Sequence, residues 1–333
     1  MGIKEVRRMR KKSRVFWLLS LVLAGVLLLF VSGCESRPAA DVKKEIGVTL
    51  RRPEIMLVVA TERNRYEQIY TDQIWNVVVS ADGTTFQEYL LNQIKQFTAD
   101  IKRICAMAEE YEIALDNREK EQLRLLAQDY YSQLTQEDKA YTEAEPEDVL
   151  NLYQDYYLAC KTVNTLTKDA NLEISDNEAK VVEVGQIVVD NEFQARELWQ
   201  AVRAEGADFD AIARENSMEE EIYRKVVRGE LSAAVEEVVF AMNTGEVSEV
   251  IEENGQFYLF YCKNPYDQEA TLKRKQGMML LRKDRAFREY YDVFLEENLV
   301  SVSGRVWQDV SCVTQVDTTT TNLFELYKEY FPN

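Results

Sequence analysis

Phe240-Ala241-Met242-Asn243-Thr244-Gly245-Glu246-Val247-Ser248 is the stretch on which the reading of this chain turns. Before and into it, Val235, Val238, Val239 and Met242 recur at helical steps, and Asn243-Thr244-Gly245 closes the helix they predict. After it, Val247–Ile251 and Gln256–Cys262 flank Asn254-Gly255, a pair that accepts the positive φ angles of a type I′ turn and so predicts a hairpin. Upstream, Ser175 and Glu178 have capping-box spacing, and Val182, Val184, Gln186 and Val188 then alternate like a half-buried strand. Ala195, Leu198, Trp199 and Val202 predict a helix that stops at Glu205-Gly206, and a shorter one follows around Phe209, Ile212 and Ala213. Strand, three helices, then two strands make an α+β unit, placed at residues 175–265.

The flanks read differently. Residues 47–174 are mostly helical, with a short strand expected at Trp75–Ser80 before the turn Ala81-Asp82-Gly83. Phe86, Leu90, Ile94, Phe97, Ile101 and Cys105 form one apolar stripe. Asp116-x-x-Glu119 predicts a capping box, and Pro146 stands where a first-turn proline is tolerated. Residues 266–301 return to helical period, with Leu280, Phe287, Tyr291 and Phe294 on one face. This helix starts basic (Lys273, Arg274, Lys275) and ends acidic (Glu296, Glu297), against the macrodipole, so packing on the N-terminal helices must stabilise it. A tail, 302–333, contains Thr318–Thr321 and the aromatic residues Phe324, Tyr327, Tyr330 and Phe331.

The N-terminus bounds the location. Seven basic side chains among the first fourteen residues precede an apolar run, Val15–Val31, and then Ser32-Gly33-Cys34. A basic n-region, an apolar h-region and small residues at the cut describe an export signal over 1–33. Residues 34–46 read as a tether. Residues 1–33 hold a single acid, Glu5, so the remainder carries about −24 against −18 for the whole chain. That balance excludes nucleic acid as a partner. Histidine is absent, which removes every imidazole mechanism and every His-ligated metal site. No ligand cluster is visible, and no cofactor or metal is expected. Cys105 and Cys160 fall on apolar helix faces and read as buried thiols, whereas Cys262 and Cys312 are left open between a bridge and free thiols.

With these motifs in place, 183–263 resembles a parvulin (PpiC-type) domain. Gln186-Ile187-Val188-Val189 stands for the family's His-Ile-Leu-Val strand. Gly206-Ala207-Asp208-Phe209, Ala213 and Ser217 match its second motif, and Phe240–Ser248 is close to Phe-Ala-Leu-x-x-Gly-Glu-x-Ser. Ser32-Gly33-Cys34 resembles a bacterial lipobox, which implies lipid on Cys34. Together with the helical flanks, the chain resembles the PrsA/SurA group of extracytoplasmic foldases. The fold implied is α+β: a helical SurA-N-like chaperone module, an inserted parvulin-type domain with an antiparallel sheet and surrounding helices, and a C-terminal helix packing on the module.

The resemblance implies a lipid-anchored foldase at the extracytoplasmic face of the cell membrane. Its partners would be unfolded or proline-containing exported polypeptides. The family's two facing histidines correspond to Gln186 and Tyr258, expected to hydrogen-bond each other across the sheet, and its Gly-Gly-x-Leu-Gly segment becomes Ile222–Val226. Leu231, Val235, Phe240 and Met242 correspond to the apolar shelf that takes the prolyl ring. The expected prolyl isomerase activity is therefore reduced or vestigial. An active isomerase and an interaction lipoprotein for one envelope partner are the alternatives.

Overall fold

Capping and periodicity organise the chain from its first described residues. The computed structural model describes residues 43–332, so the signal segment, Cys34 and most of the tether lie outside the described residues. The described residues form two units, one from residues 43–170 with 284–332 and one from 171–283.

The first unit begins with β1, Lys44–Val48. The expected tether therefore ends earlier than residue 46, because the backbone from Lys44 onward finds a strand partner. Helix α1, Arg52–Tyr70, carries Pro53 in its first turn and is buried continuously from Glu54 to Asn64. A helix covered on all sides is a core helix, and the others pack around it. These are α2 (Phe86–Glu110), α3 (Asn117–Gln133), α4 (Gln136–Thr142) and α5 (Pro146–Leu166). Thr85 with Glu88, Asp116 with Glu119, and Thr135 with Asp138 close capping boxes on α2, α3 and α4. The strand expected at Trp75–Ser80 does not form. Asp72–Asn76 is a 3₁₀ turn, held by Trp75 Nε1 donating to Glu67 at 2.7 Å, and only Val78 bridges to Thr85.

The second unit contains α6 (Asp176–Ala179), β2 (Val181–Val189), α7 (Glu192–Val202), α8 (Phe209–Asn216), β3 (Tyr223–Val227), α9 (Ala233–Ala241), β4 (Ile251–Glu253) and β5 (Gln256–Asn264). Its sheet has the order β3-β2-β5-β4 and is antiparallel throughout. The β4–β5 hairpin turns at Asn254 and Gly255, both with positive φ (53° and 79°), as that dipeptide predicts. β2 is buried on both faces rather than one. Val182 and Val184 pack with Val235, Val239 and Phe240 of α9, while Ile187 and Val189 pack with residues of α7 and α8.

The return to the first unit, at 283/284, falls inside α10, Gln268–Glu297. Phe287, Tyr291 and Phe294 of that helix enter the first unit's core. Strand β6, Asn298–Val302, then pairs in parallel with β1, Lys44 opposite Asn298 and Val48 opposite Val302. The tail is packed. Thr319 and Thr320 N–H donate to Asp138 Oδ1 at 2.8 and 3.1 Å, Arg63 donates to Thr318 Oγ1 at 2.9 Å, and Asn64 Nδ2 donates to Thr320 O at 2.8 Å. Helix α11, Leu323–Tyr330, sets Phe324 against Phe97 and Tyr156. All four described cysteines are free thiols: Cys262 and Cys312 are buried, in different units, and Cys105 and Cys160 are half-buried rather than fully so. Among the described residues no helix is long and apolar enough to cross a membrane.

One core group is held against its preferred charge. Asp100 on α2 is fully buried, and its Oδ2 has no hydrogen-bond partner. Burial raises its pKa to about 6 despite the Arg103 guanidinium at 2.8 Å. A raised carboxyl stabilises the fold most below its unfolded pKa of about 4, and that stabilisation is lost as pH rises through about 6. Asp100→Asn should therefore add about 1–3 kcal/mol at pH near 7.5 and much less near pH 4, measured by urea unfolding at both.

Candidate functional site

The sheet face carrying the predicted site is built by register. Gln186 lies directly opposite Phe260, and Val188 opposite Tyr258, so Gln186 and Tyr258 share one face on a diagonal. Directly paired antiparallel residues point the same way, and Leu231, Val235, Phe240, Met242 and Tyr258 accordingly form one apolar cluster with Phe260. All the sequence-predicted site residues outside the N-terminus are thus brought to the same face.

Local chemistry explains how Phe240–Ser248 reaches this face. Helix α9 ends at Ala241, and Glu246 Oε2 accepts from Asn243 N–H at 2.8 Å. Gly245 then turns with φ 82° and donates its N–H to Cys262 O at 2.7 Å. Ser248 is buried, with its Oγ accepting from Phe260 N–H at 3.0 Å and donating to Glu249 O at 2.8 Å. The glycine, the glutamate and the serine together stitch the end of α9 to β5.

The polar pair does not interact as expected. Tyr258 OH donates to Gln256 Oε1 at 2.9 Å, two residues along its own strand, and not to Gln186. The diagonal register sets the phenol nearer its strand-mate, because i and i+2 share a face. Gln186 is buried. The Ile222–Val226 segment, without the family's glycines, pairs with β2 through β3, and Ile222 O accepts from Gln186 N–H at 2.8 Å.

Three of the four shelf residues are covered, and Leu231 is half-buried. Val235, Phe240 and Met242 are 3, 7 and 5 % exposed. The guanidinium of Arg228 lies 4.4 Å from the centroid of the Phe240 ring, and Lys180 Nζ lies 5.7 Å from it. Arg228 is clamped there: Nε donates to Asn177 O at 3.1 Å, Nη2 to Asn177 Oδ1 at 2.8 Å, and Nη1 to Glu236 Oε1 at 3.2 Å. Glu236 also accepts from Gly229 N–H at 2.6 Å. Burial, and then the neighbouring Arg228 cation, hold the Lys180 ammonium below the usual lysine range. Sequence reasoning missed Arg228 and Lys180. The only signal was two cations flanking the motif segments, which identifies no contact until the turn at Gly229 aims one of them at the ring.

The segment that carries this geometry is similar to a known family. Residues 188–264 match the rotamase family, the PPIC-type PPIASE domain. The match contains Tyr258 and the four shelf residues, and Gln186 lies just before it. No curated protein matches the chain significantly. Among solved structures, the chain is similar to the foldase protein PrsA of Streptococcus pneumoniae, with 20 % identity over 69 % of this chain and 97 % of that one, at a TM-score of 0.26. PrsA of Bacillus subtilis aligns at 15 % identity over 71 % and 98 %, TM-score 0.26. A chain from the Campylobacter jejuni pair PEB4 and Cj1289, described as SurA-like chaperones, aligns at 10 % identity over 62 % and 86 %, TM-score 0.28.

Behind the site, Gly185 on β2 has no room for a side chain. A Cβ there would lie 2.7 Å from Phe209 Cε1 and 2.9 Å from Tyr223 Cε1. Gly185→Ala should displace both rings and cost about 1–3 kcal/mol, read as a lowered melting temperature.

Proposed function

We propose that this chain is an extracytoplasmic, lipid-anchored foldase, a chaperone for exported polypeptides whose parvulin-type domain retains reduced or vestigial prolyl isomerase activity. The observation that carries the reading is the Arg228 guanidinium clamped over Phe240, within a segment that matches the rotamase family. Isomerisation must overcome an amide barrier of about 18–20 kcal/mol, and catalysis requires an apolar seat for the prolyl ring beside a twisted amide. With Phe240 occupied, a prolyl ring must first displace Arg228 from Asn177 and Glu236. Breaking charge-assisted hydrogen bonds costs about 1–3 kcal/mol, a reduction in rate of about ten- to a hundredfold. Gln186 and Tyr258 supply hydrogen-bonding groups on the same face but no imidazole.

The extracytoplasmic location rests on the basic and apolar segments before Cys34, and the anchor on the small-small-Cys ending. Cys34→Ala should abolish incorporation of labelled fatty acid into the chain, read by metabolic labelling.

The deciding experiment is a prolyl cis/trans exchange assay on the intact chain, with peptides that vary the residue before proline. Weak catalysis is expected, rising about tenfold in Arg228→Ala, with aggregation of an unfolded client suppressed equally by both proteins. Strong catalysis in the parent with no gain in Arg228→Ala would favour the active isomerase, and a fall in Gln186→Ala/Tyr258→Phe would then assign the polar pair. Failure to bind or protect any unfolded client would overturn the chaperone reading.

A further inference from the structure

The first unit carries an open groove of about 630 Å³ between the C-terminal part of α5 and the end of α11. Its apolar wall is made by Tyr156, Tyr157, Tyr327, Tyr330 and Phe331. These rings are held by one another: Tyr157 to Phe331 and Tyr156 to Tyr327 at 4.7 Å between centroids, and Tyr327 to Phe331 at 5.2 Å. Two phenols are also fixed at their tips, Tyr157 OH donating to Glu119 at 2.9 Å and Tyr330 OH to Asp129 at 3.1 Å. The wall is therefore formed before any ligand arrives, which lowers the ordering cost of binding.

The charge of the groove runs opposite to that of the chain. Its lining contains Lys161, Lys168 and Lys328 and no Asp or Glu, in a protein of net charge −18. Lys161 is already committed, donating to both Glu119 oxygens at 2.7 and 2.8 Å and to Ala114 O at 2.9 Å. Among the described residues Lys168 pairs with Asp169 alone, at 4.0 Å with both side chains largely exposed, a pairing that contributes little. Lys328 makes no ion pair among the described residues. Lys168 and Lys328 thus stand beside the aromatic wall without a close ion pair among the described residues, the nearby carboxylates Glu119 and Asp129 being engaged by the phenols of Tyr157 and Tyr330.

We propose that this groove binds an extended polypeptide segment in which an aromatic side chain is flanked by carboxylates. The aromatic ring packs on the tyrosine and phenylalanine wall, where a stacked or edge-on pair adds to simple burial. The carboxylates meet Lys168 and Lys328. This deepens the client-binding reading, on which it rests, by giving the clients a chemistry. It also separates client capture from the sheet face of the second unit, since the groove requires no proline.

The test uses the intact chain and short, capped, fluorescent peptides without proline, centred on Glu-Tyr-Glu, Lys-Tyr-Lys or Glu-Ala-Glu. The first should bind about tenfold more tightly than either of the others and weaken as salt is raised. Lys168→Glu/Lys328→Glu should melt like the parent and lose the preference for the acidic peptide. Equal affinity for the three peptides, or an unchanged preference in the double variant, would overturn the assignment. An unfolded protein client is measured alongside. If it binds while the acidic aromatic peptide does not, the groove assignment falls and the chaperone reading stands. If neither binds, both fall.

Discussion

The first unit can close only when two chain segments separated by the whole of the second unit meet. Parallel pairing of β1 with β6 brings Lys44–Val48 against Asn298–Val302, and Asp138 receives the N–H groups of Thr319 and Thr320 on the other side. Asp138 is suited to that task. Burial alone would raise its carboxyl, but hydrogen bonds from Thr319, Thr135 and Thr320 outweigh it and hold the pKa below the ordinary value. The same carboxylate caps α4 and anchors the tail, so helix geometry and long-range closure depend on one charged group. Core helix α1 shows the result: Arg63 and Asn64, buried and polar, are satisfied by Thr318, Val316 and Thr320 rather than by water. Buried polar groups are tolerable only when so paired.

In the second unit the governing constraint is a strand with both faces covered. Because β2 is packed by α9 on one side and by α7 and α8 on the other, register alone decides which residues face the shelf. That constraint sets the positions of Gln186 and Tyr258 on one face of the sheet. The apolar residues converge there, and the Arg228 guanidinium lies over the Phe240 ring.

Much of this was legible in the sequence wherever the signal was local. Asn254-Gly255 specified its turn, Asp116 and Glu119 their capping box, and Asn243-Thr244-Gly245 the end of the preceding helix. What failed depended on partners distant in the chain. β2 alternates in sequence but is buried on both sides, because helices contributed later cover its second face. Lys44 looked like tether until residue 298 was placed beside it. Trp75–Ser80 has strand-like residues but no ladder partner beyond one bridge. The position of Arg228 over Phe240 needed both the turn at Gly229 and the Asn177 carbonyl, neither of which sequence periodicity reports.

The thiols give the two units separate clocks. Cys262 is sealed in the second unit and Cys312 in the first, and burial raises both above the ordinary thiol range, Cys312 to about 12. A protonated, inaccessible thiol neither attacks nor is oxidised at an appreciable rate. Each therefore becomes reactive only when its own surroundings open. The rate at which a small alkylating reagent modifies Cys262 reports the breathing of the sheet unit, and the rate at Cys312 reports release of the tail from the helical one. Resolved by peptide mass, one labelling time course on unmodified protein would rank the two units by how often each lets go.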